Sequence, residues 1–382
     1  QCSSLVDLVY FITMFKPGIR PGLLSSAIIC FLVIDYIRKR KVFIKSWIDA
    51  VVVLYIIYNI FSILWYFVSG ASMLIFVREF SNSMLPAFFY FFGVRDDFSN
   101  KRFYSNTLRA LVFSFFVGFV LFIQLPYFYR FYLSTIDGIG GTDPVLLEVF
   151  YRSIFGLTIT SSLSGIGILL SYDKIYSNKG KKGKIELIIC IVALVLTFRR
   201  SGLYVGIVSI LILNYLSFMK YNLLKYRYLF LEVLAVIVAI LLLNRSYPDF
   251  LPIIIDRISM LEDAFQRQES WKSGIKNMNN HLFGDGLGIY GHKAVNESVN
   301  IIPDGNYFRM YAEIGIFGLL LFLSIIFSSL SKGFKNIRRN YLELGIILTI
   351  SIQAIGSDVF SFMLISPLLW YSVGRLQQHY NR

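Results

Sequence analysis

Apolar runs of about 20 residues, separated by short polar segments, recur along nearly the whole chain. They begin near Ser3, Gly22, Ser46, Ser72, Thr107, Ser153, Lys184, Gly202, Tyr228, Asn306, Tyr341 and Val359. Because lipid leaves no partner for open backbone, such runs fold as helices. The pattern predicts an all-α, polytopic transmembrane helix bundle of about 12 spans, one membrane domain over residues 1–382. One hydrophilic region is long, residues 245–305. Within it Ile258, Leu261, Phe265, Trp271 and Ile275 recur largely at steps of three and four, which predicts an amphipathic helix between Arg257 and Asn280 lying on the membrane surface.

Charge orients these spans. Basic clusters at Arg38–Lys41, at Arg95, Lys101 and Arg102, at Lys179–Lys184, at Lys220–Arg227 and at Lys332–Arg339 each follow an even-numbered run. Lys and Arg are retained on the cytoplasmic side, so both termini are expected inside and residues 245–305 outside, as an extracytoplasmic, periplasmic loop. In that loop six basic residues face eight acidic ones, unlike the strongly basic inner loops. A composition of 56% hydrophobic residues fits a bilayer protein, and the formal net charge of +14 follows from topology and attraction to anionic lipid. No nucleic-acid partner is needed to explain it. Cys2, Cys30 and Cys190 show no paired spacing, so neither disulfides nor a metal site is expected. The chain opens at Gln1 with no cleavable leader pattern, and its first run is expected to act as the insertion signal.

Charges inside apolar runs carry the functional signal, since ionisable side chains at membrane depth are costly to keep. Arg78 and Glu79 interrupt the fourth run, Arg199 and Arg200 close the seventh in LTFRRSGLY, and Arg309 and Glu313 lie just inside the tenth. Asp358 stands at the turn between the last two. Arg309 and Glu313 are four apart and share a helix face, so a structural ion pair is one reading; Arg199 and Arg200 as snorkelling stop residues is another. All these charges fall on the outer-leaflet side, which also fits a binding site. Several arginines at the outer edge of a bilayer suit a lipid-linked diphosphate, because guanidinium groups take phosphate oxygens through paired hydrogen bonds.

Two loop motifs admit other readings. YFYRFY at Tyr127–Tyr132 is an interfacial aromatic belt or a platform for sugar rings. GLGIYG at Gly286–Gly291 matches the dinucleotide pattern GxGxxG, yet no strand precedes it, and its glycines are expected to serve a tight, exposed turn.

The order RQESW (Arg267, Trp271), HLFGDGLG (His281–Gly288) and DGNYFRMYAEIGIFGLLLF, with Glu313, Gly315 and Gly318 as E-x-G-x-x-G, resembles the superfamily of bacterial O-antigen polymerases and O-antigen ligases. RRSG at Arg199–Gly202 resembles a motif those membrane glycosyltransferases carry at an outer span end. The resemblance implies a GT-C-like bundle in the bacterial inner membrane, with its active site facing the periplasm. It implies a donor and acceptor that are undecaprenyl-diphosphate-linked oligosaccharides, no cofactor, and a polysaccharide chain-length regulator as a partner beside the lipid bilayer. The ligase branch carries a His where this chain has Pro303, and Asp304 follows as an acidic residue often does in the polymerases. The expected function is therefore an O-antigen polymerase; the alternatives are an O-antigen ligase and a flippase of lipid-linked oligosaccharides.

Such a transfer needs fixed positive charge for the leaving diphosphate and a base for the attacking hydroxyl. The candidates for the first are Arg200, Arg199, Arg267 and Arg78, then Arg309 and Arg257; for the base, Asp304, with Glu79 and His292 as rivals. Asn306, Trp271 and Glu313 are the candidates for sugar binding, and Gly315 and Gly318 for close helix packing. No metal is expected, because arginines supply the charge.

Overall fold

A computed structural model describes residues 44, 46–69, 71–96, 101–137, 153–176, 180–197, 262–291, 294, 301–302, 304–362 and 364–378, with isolated positions 30, 211, 215, 234, 237 and 245. The described residues are helical, with no strand among them. Among the described residues three stretches are long and apolar enough to cross a membrane: Trp47–Val68, Arg102–Gln124 and Asn306–Lys335. Helices also cover the apolar runs expected from Ser72, Ser153, Lys184 and Tyr341, whereas the last run becomes helical only at Ser366.

The first described helix, α1 (Trp47–Phe61), starts at a capping box in which Ser46 Oγ accepts the Asp49 N–H at 3.3 Å and the Asp49 carboxylate accepts the Ser46 N–H at 2.8 Å. It continues through α2 (Leu64–Ser69). Next comes α3 (Met73–Glu79), which does not run straight on. A wide turn of π-helix at Phe80–Met84 and a 3-10 turn at Leu85–Phe88 lead into α4 (Phe89–Arg95). Pro86 has no N–H to give the helical ladder, which accounts for the irregularity.

The bundle is completed by α5 (Arg102–Gln124), α6 (Pro126–Asp137), α7 (Leu157–Tyr176), α8 (Gly180–Leu196), the short α9 (Glu262–Lys276), the long α10 (Asn306–Lys335), α11 (Ile337–Gln353) and α12 (Ser366–Gln378). The amphipathic helix expected between Arg257 and Asn280 is α9. The aromatic motif at Tyr127 lies on α6, where Tyr127, Phe128 and Phe131 are exposed, as either a belt or a platform requires.

Packing centres on α10, which lies against α1, α11 and α12, while α12 runs along α4 and α7 along α8. Gly93 and Gly374 let α4 and α12 approach backbone to backbone, since a Cβ on either would meet the other helix's carbonyl. Tyr55, Phe322 and Trp370 fill the centre, with ring centroids 5.8 to 6.0 Å apart. At one end a buried Arg375 donates to Glu343 at 2.9 Å and lies over the Tyr104 and Tyr371 rings at 5.5 and 5.6 Å, joining α5, α11 and α12. The opposite end, where α2 stops and α3, α10 and the turn after α11 begin, holds the candidate site.

Candidate functional site

Helix α10 is interrupted at its tenth residue, Gly315, whose φ of 66° and ψ of −176° only glycine adopts readily. A helix broken among apolar neighbours must find partners for the freed backbone groups. The loop 281–286 supplies them. His281 and Leu282 carbonyls accept the N–H groups of Ile316 (3.0 Å) and Phe317 (3.3 Å) below the break, and Ala312 and Glu313 carbonyls accept those of Asp285 (3.1 Å) and Gly286 (2.9 Å) above it. Two tyrosines of the first span lock the arrangement. The Tyr58 hydroxyl donates to the Ile314 carbonyl at 2.8 Å, and the Tyr66 hydroxyl donates to that of Leu287.

Backbone meets backbone here, so side chains are excluded: a Cβ on Gly284 would strike the Glu313 carbonyl, and one on Gly315 the Leu282 carbonyl. The expectation that Gly315 serves close helix packing is thus replaced by a sharper role, the break itself. Gly318 is covered by the side chain of Ile314 on its own helix. The turn at Gly286–Gly291 is tight, with Gly286 and Gly288 at positive φ, but buried rather than exposed, because it packs on Tyr66, Ile75 and Glu79. Within the same loop the Asp285 carboxylate accepts the N–H groups of Asn279 and Asn280 and the Tyr290 hydroxyl at 2.6 Å. Burial first, then that carboxylate, pushes the Tyr290 phenol well above its ordinary range.

The break sets the upper segment of α10 so that Asn306, Arg309 and Glu313 point into the bundle, all buried. Arg309 donates to Glu79 at 2.9 Å, to Asp358 and to Ser361, and its Nε stands 3.5 Å from Glu313. Ser83 and Ser361 hydroxyls also donate to the Glu79 carboxylate. Glu79 and Ser83, four residues apart where α3 passes into the π turn, lie together on this face. Asn306 donates to Asp358 and accepts the Phe360 N–H at 2.9 Å, fixing the irregular segment before α12. One guanidinium therefore serves three carboxylates from three separate parts of the chain. A cavity of about 20 Å3 beside it, lined by Tyr55, Ser83, Asn306, Arg309, Glu313 and Phe360, holds at most a single water and no sugar or diphosphate.

Of the residues singled out from the sequence, Glu79, Arg309, Asn306 and Glu313 are brought together in this cluster. A diphosphate would reach Arg309 only by displacing its carboxylates. Trp271 and Asp304 form a second group nearby. The indole N–H of Trp271 donates to the Asp304 carbonyl, and its ring stacks on Phe308 with centroids 4.5 Å apart, docking α9 on the start of α10. The Asp304 side chain is half-buried. Arg78, one residue from Glu79, is exposed on α3 and lies outside the cluster. Arg267 lies on α9. Arg199, Arg200, Arg257 and His292 fall outside the described residues.

Sequence reading missed Ser83 and Ser361 as contributors. A serine in an apolar run is common enough to carry no signal. Asp358 stood out as a charge, but nothing in its spacing assigned it to Arg309.

No curated protein matches the chain. Residues 185–323, which include the broken segment of α10, α9 and the 281–291 loop, match a family model described as O-antigen ligase. That match includes both halves of the helix break, the loop that fills it and the Arg309–Glu313 pair, and over these residues the chain is similar to the O-antigen ligase family.

Proposed function

We propose that the protein is a surface-polysaccharide polymerase. It transfers a growing glycan from undecaprenyl diphosphate to the non-reducing-end sugar of an incoming lipid-linked repeat unit. The observation that carries this reading is the buried charge cluster at one end of the bundle, built on a segment that matches the O-antigen ligase family. On this reading the bundle is GT-C-like, with about 12 spans, and the cluster lies on the periplasmic side of the inner membrane.

Arg309, Glu79 and Asp358 act as the pillar that holds the outer ends of α3, α10 and α12 in register. The diphosphate is held by arginines outside that pillar, Arg200 and Arg199 first, then Arg267, Arg257 and Arg78. They stabilise charge on the leaving oxygen without a metal. Asp304, fixed at the helix start by Trp271, takes the proton of the attacking hydroxyl, and single displacement inverts the anomeric centre. The match to an O-antigen ligase family favours a second reading, a ligase that delivers finished glycan to a lipid A core; Pro303 and Asp304 in place of a His argue against it.

The test incubates purified protein in nanodiscs with one lipid-diphosphate-linked repeat unit, with and without lipid A core. A ladder spaced by one repeat without core establishes the polymerase, and transfer only with core establishes the ligase. Silence in both refutes glycosyl transfer and leaves transport of the lipid-linked sugar.

A further inference from the structure

The loop that fills the helix break carries a polar pair beside the upper part of α10, a helix long and apolar enough to cross a membrane. The His281 carbonyl bonds to Ile316, ten residues along α10 from Asn306, which is about 15 Å below the helix start. Beside it Leu282 and Phe283 are 53% and 43% exposed, and Phe317 and Leu320 on α10 are 47% and 54% exposed. Phe283 lies 5.5 Å from the Phe317 ring and 6.3 Å from Trp65, so these residues form one apolar outer surface.

At the upper edge of that surface the His281 Nδ1 lies 3.0 Å from the Tyr311 hydroxyl, with the two rings stacked 6.1 Å apart. His281 is exposed and has no other side-chain hydrogen bond or ion pair among the described residues. When the Tyr311 hydroxyl donates to Nδ1, the imidazole proton sits on Nε2, at the opposite edge of the ring. The fold does not need this histidine for the break, because only its backbone carbonyl serves there. An exposed ionisable side chain at membrane depth, held by a named partner, marks a functional position.

An imidazole donor above an open apolar surface suits an amphiphile whose phosphate rests at the hydrocarbon boundary and whose chain lies below. We propose that His281 and Tyr311 form a lateral site for the phosphate of a polyprenyl diphosphate, with the isoprenoid chain lying over Leu282, Phe283, Phe317 and Leu320. The site rests on the reading above that the substrate is a lipid diphosphate, and it gives that lipid a route from the bilayer to the broken helix.

The test uses the full chain in phosphatidylethanolamine nanodiscs with a diazirine-bearing polyprenyl diphosphate, followed by digestion and mass spectrometry. Label is expected on 281–283 and 317–320. His281→Ala with Tyr311→Phe should lower it about tenfold, the loss of one or two hydrogen bonds to phosphate. The shape-preserving His281→Gln and Tyr311→Phe should each lower it severalfold, so that misfolding of the double variant cannot hide the result. Unlabelled undecaprenyl diphosphate should compete and phosphatidylglycerol should not. Label confined to other segments, label unchanged in the variants, or equal competition by phosphatidylglycerol would each overturn the site. Label here without any transfer product would refute the glycosyl transfer and leave the site standing.

Discussion

Replacing Gly315 with alanine tests whether the helix break is the element that holds loop 281–286 in the bundle. The alanine would be held at φ 66° and ψ −176°, a region that costs a non-glycine residue about 1–3 kcal/mol. Its Cβ would also strike the Leu282 carbonyl, which is backbone and cannot rotate away. Relief requires the loop to lift, and the Ile316 to His281 and Gly286 to Glu313 hydrogen bonds go with it, each worth about 1 kcal/mol. Together the expected loss is about 3–5 kcal/mol. Gly356→Ala is the control, because a Cβ there meets nothing within 4 Å.

The assay is thermal unfolding in detergent, run beside limited proteolysis within 277–291. Gly315→Ala should unfold well below both wild type and Gly356→Ala, and its loop should be cut first. Gly284→Ala strikes the Glu313 carbonyl from the other side of the same contact. The double variant should therefore cost clearly less than the two single losses added together. A Gly315→Ala protein as stable and as protease-resistant as wild type would refute the reasoning, as would strict additivity.

Arg309→Met leaves Glu79, Glu313 and Asp358 buried without their shared cation, and a loss of about 3–5 kcal/mol is expected in the same unfolding assay. Glu343→Gln at the other end of the bundle, where Arg375 loses the nearer of its two buried carboxylates, should be costly too but leave transfer per folded molecule unchanged. Trp271→Phe keeps the stack on Phe308 and loses only the donor to Asp304, so folding should fall by about 1 kcal/mol while transfer falls further. Asp304→Asn should lower turnover by about 10²–10⁴ without altering insertion, and turnover near wild type across pH would place the base elsewhere. Tyr290 is protonated in both folded and unfolded chains at neutral pH, and its folded phenol is raised above the ordinary 10.0. Loop protection should therefore hold from neutral pH up to about 10 and fall only above it, which hydrogen exchange in 285–291 would report.

The arrangement divides two tasks that the sequence left merged. Intramembrane charge drew attention to Glu79, Arg309 and Glu313 as ligand-binding groups, and the structure gives them one another as partners. A guanidinium ringed by carboxylates holds helices together; a diphosphate needs arginines that it can reach without displacing such partners. Under the proposed function, substrate contact is assigned to arginines other than Arg309, a distinction that residue type alone could not draw.

Hydrophobic periodicity by itself determined that the described residues are helical, where the apolar runs fall, that a helix lies within 257–280 and that Arg309 and Glu313 share a face, because each follows from a local repeat of 3.6 residues and from chain length. It also flagged the costly charges, since a charged side chain in an apolar run stands out without any knowledge of neighbours. Only the tertiary structure decided that Glu79 and Asp358, 230 and 49 positions away from Arg309, meet on its guanidinium. The same holds for Gly315, which ends a helix segment instead of packing one, since backbone must fill the gap its conformation opens, and the residues that do so lie in a different loop. Local spacing sets which face a side chain occupies. What that face meets depends on contacts between distant segments, and those leave no period in the sequence.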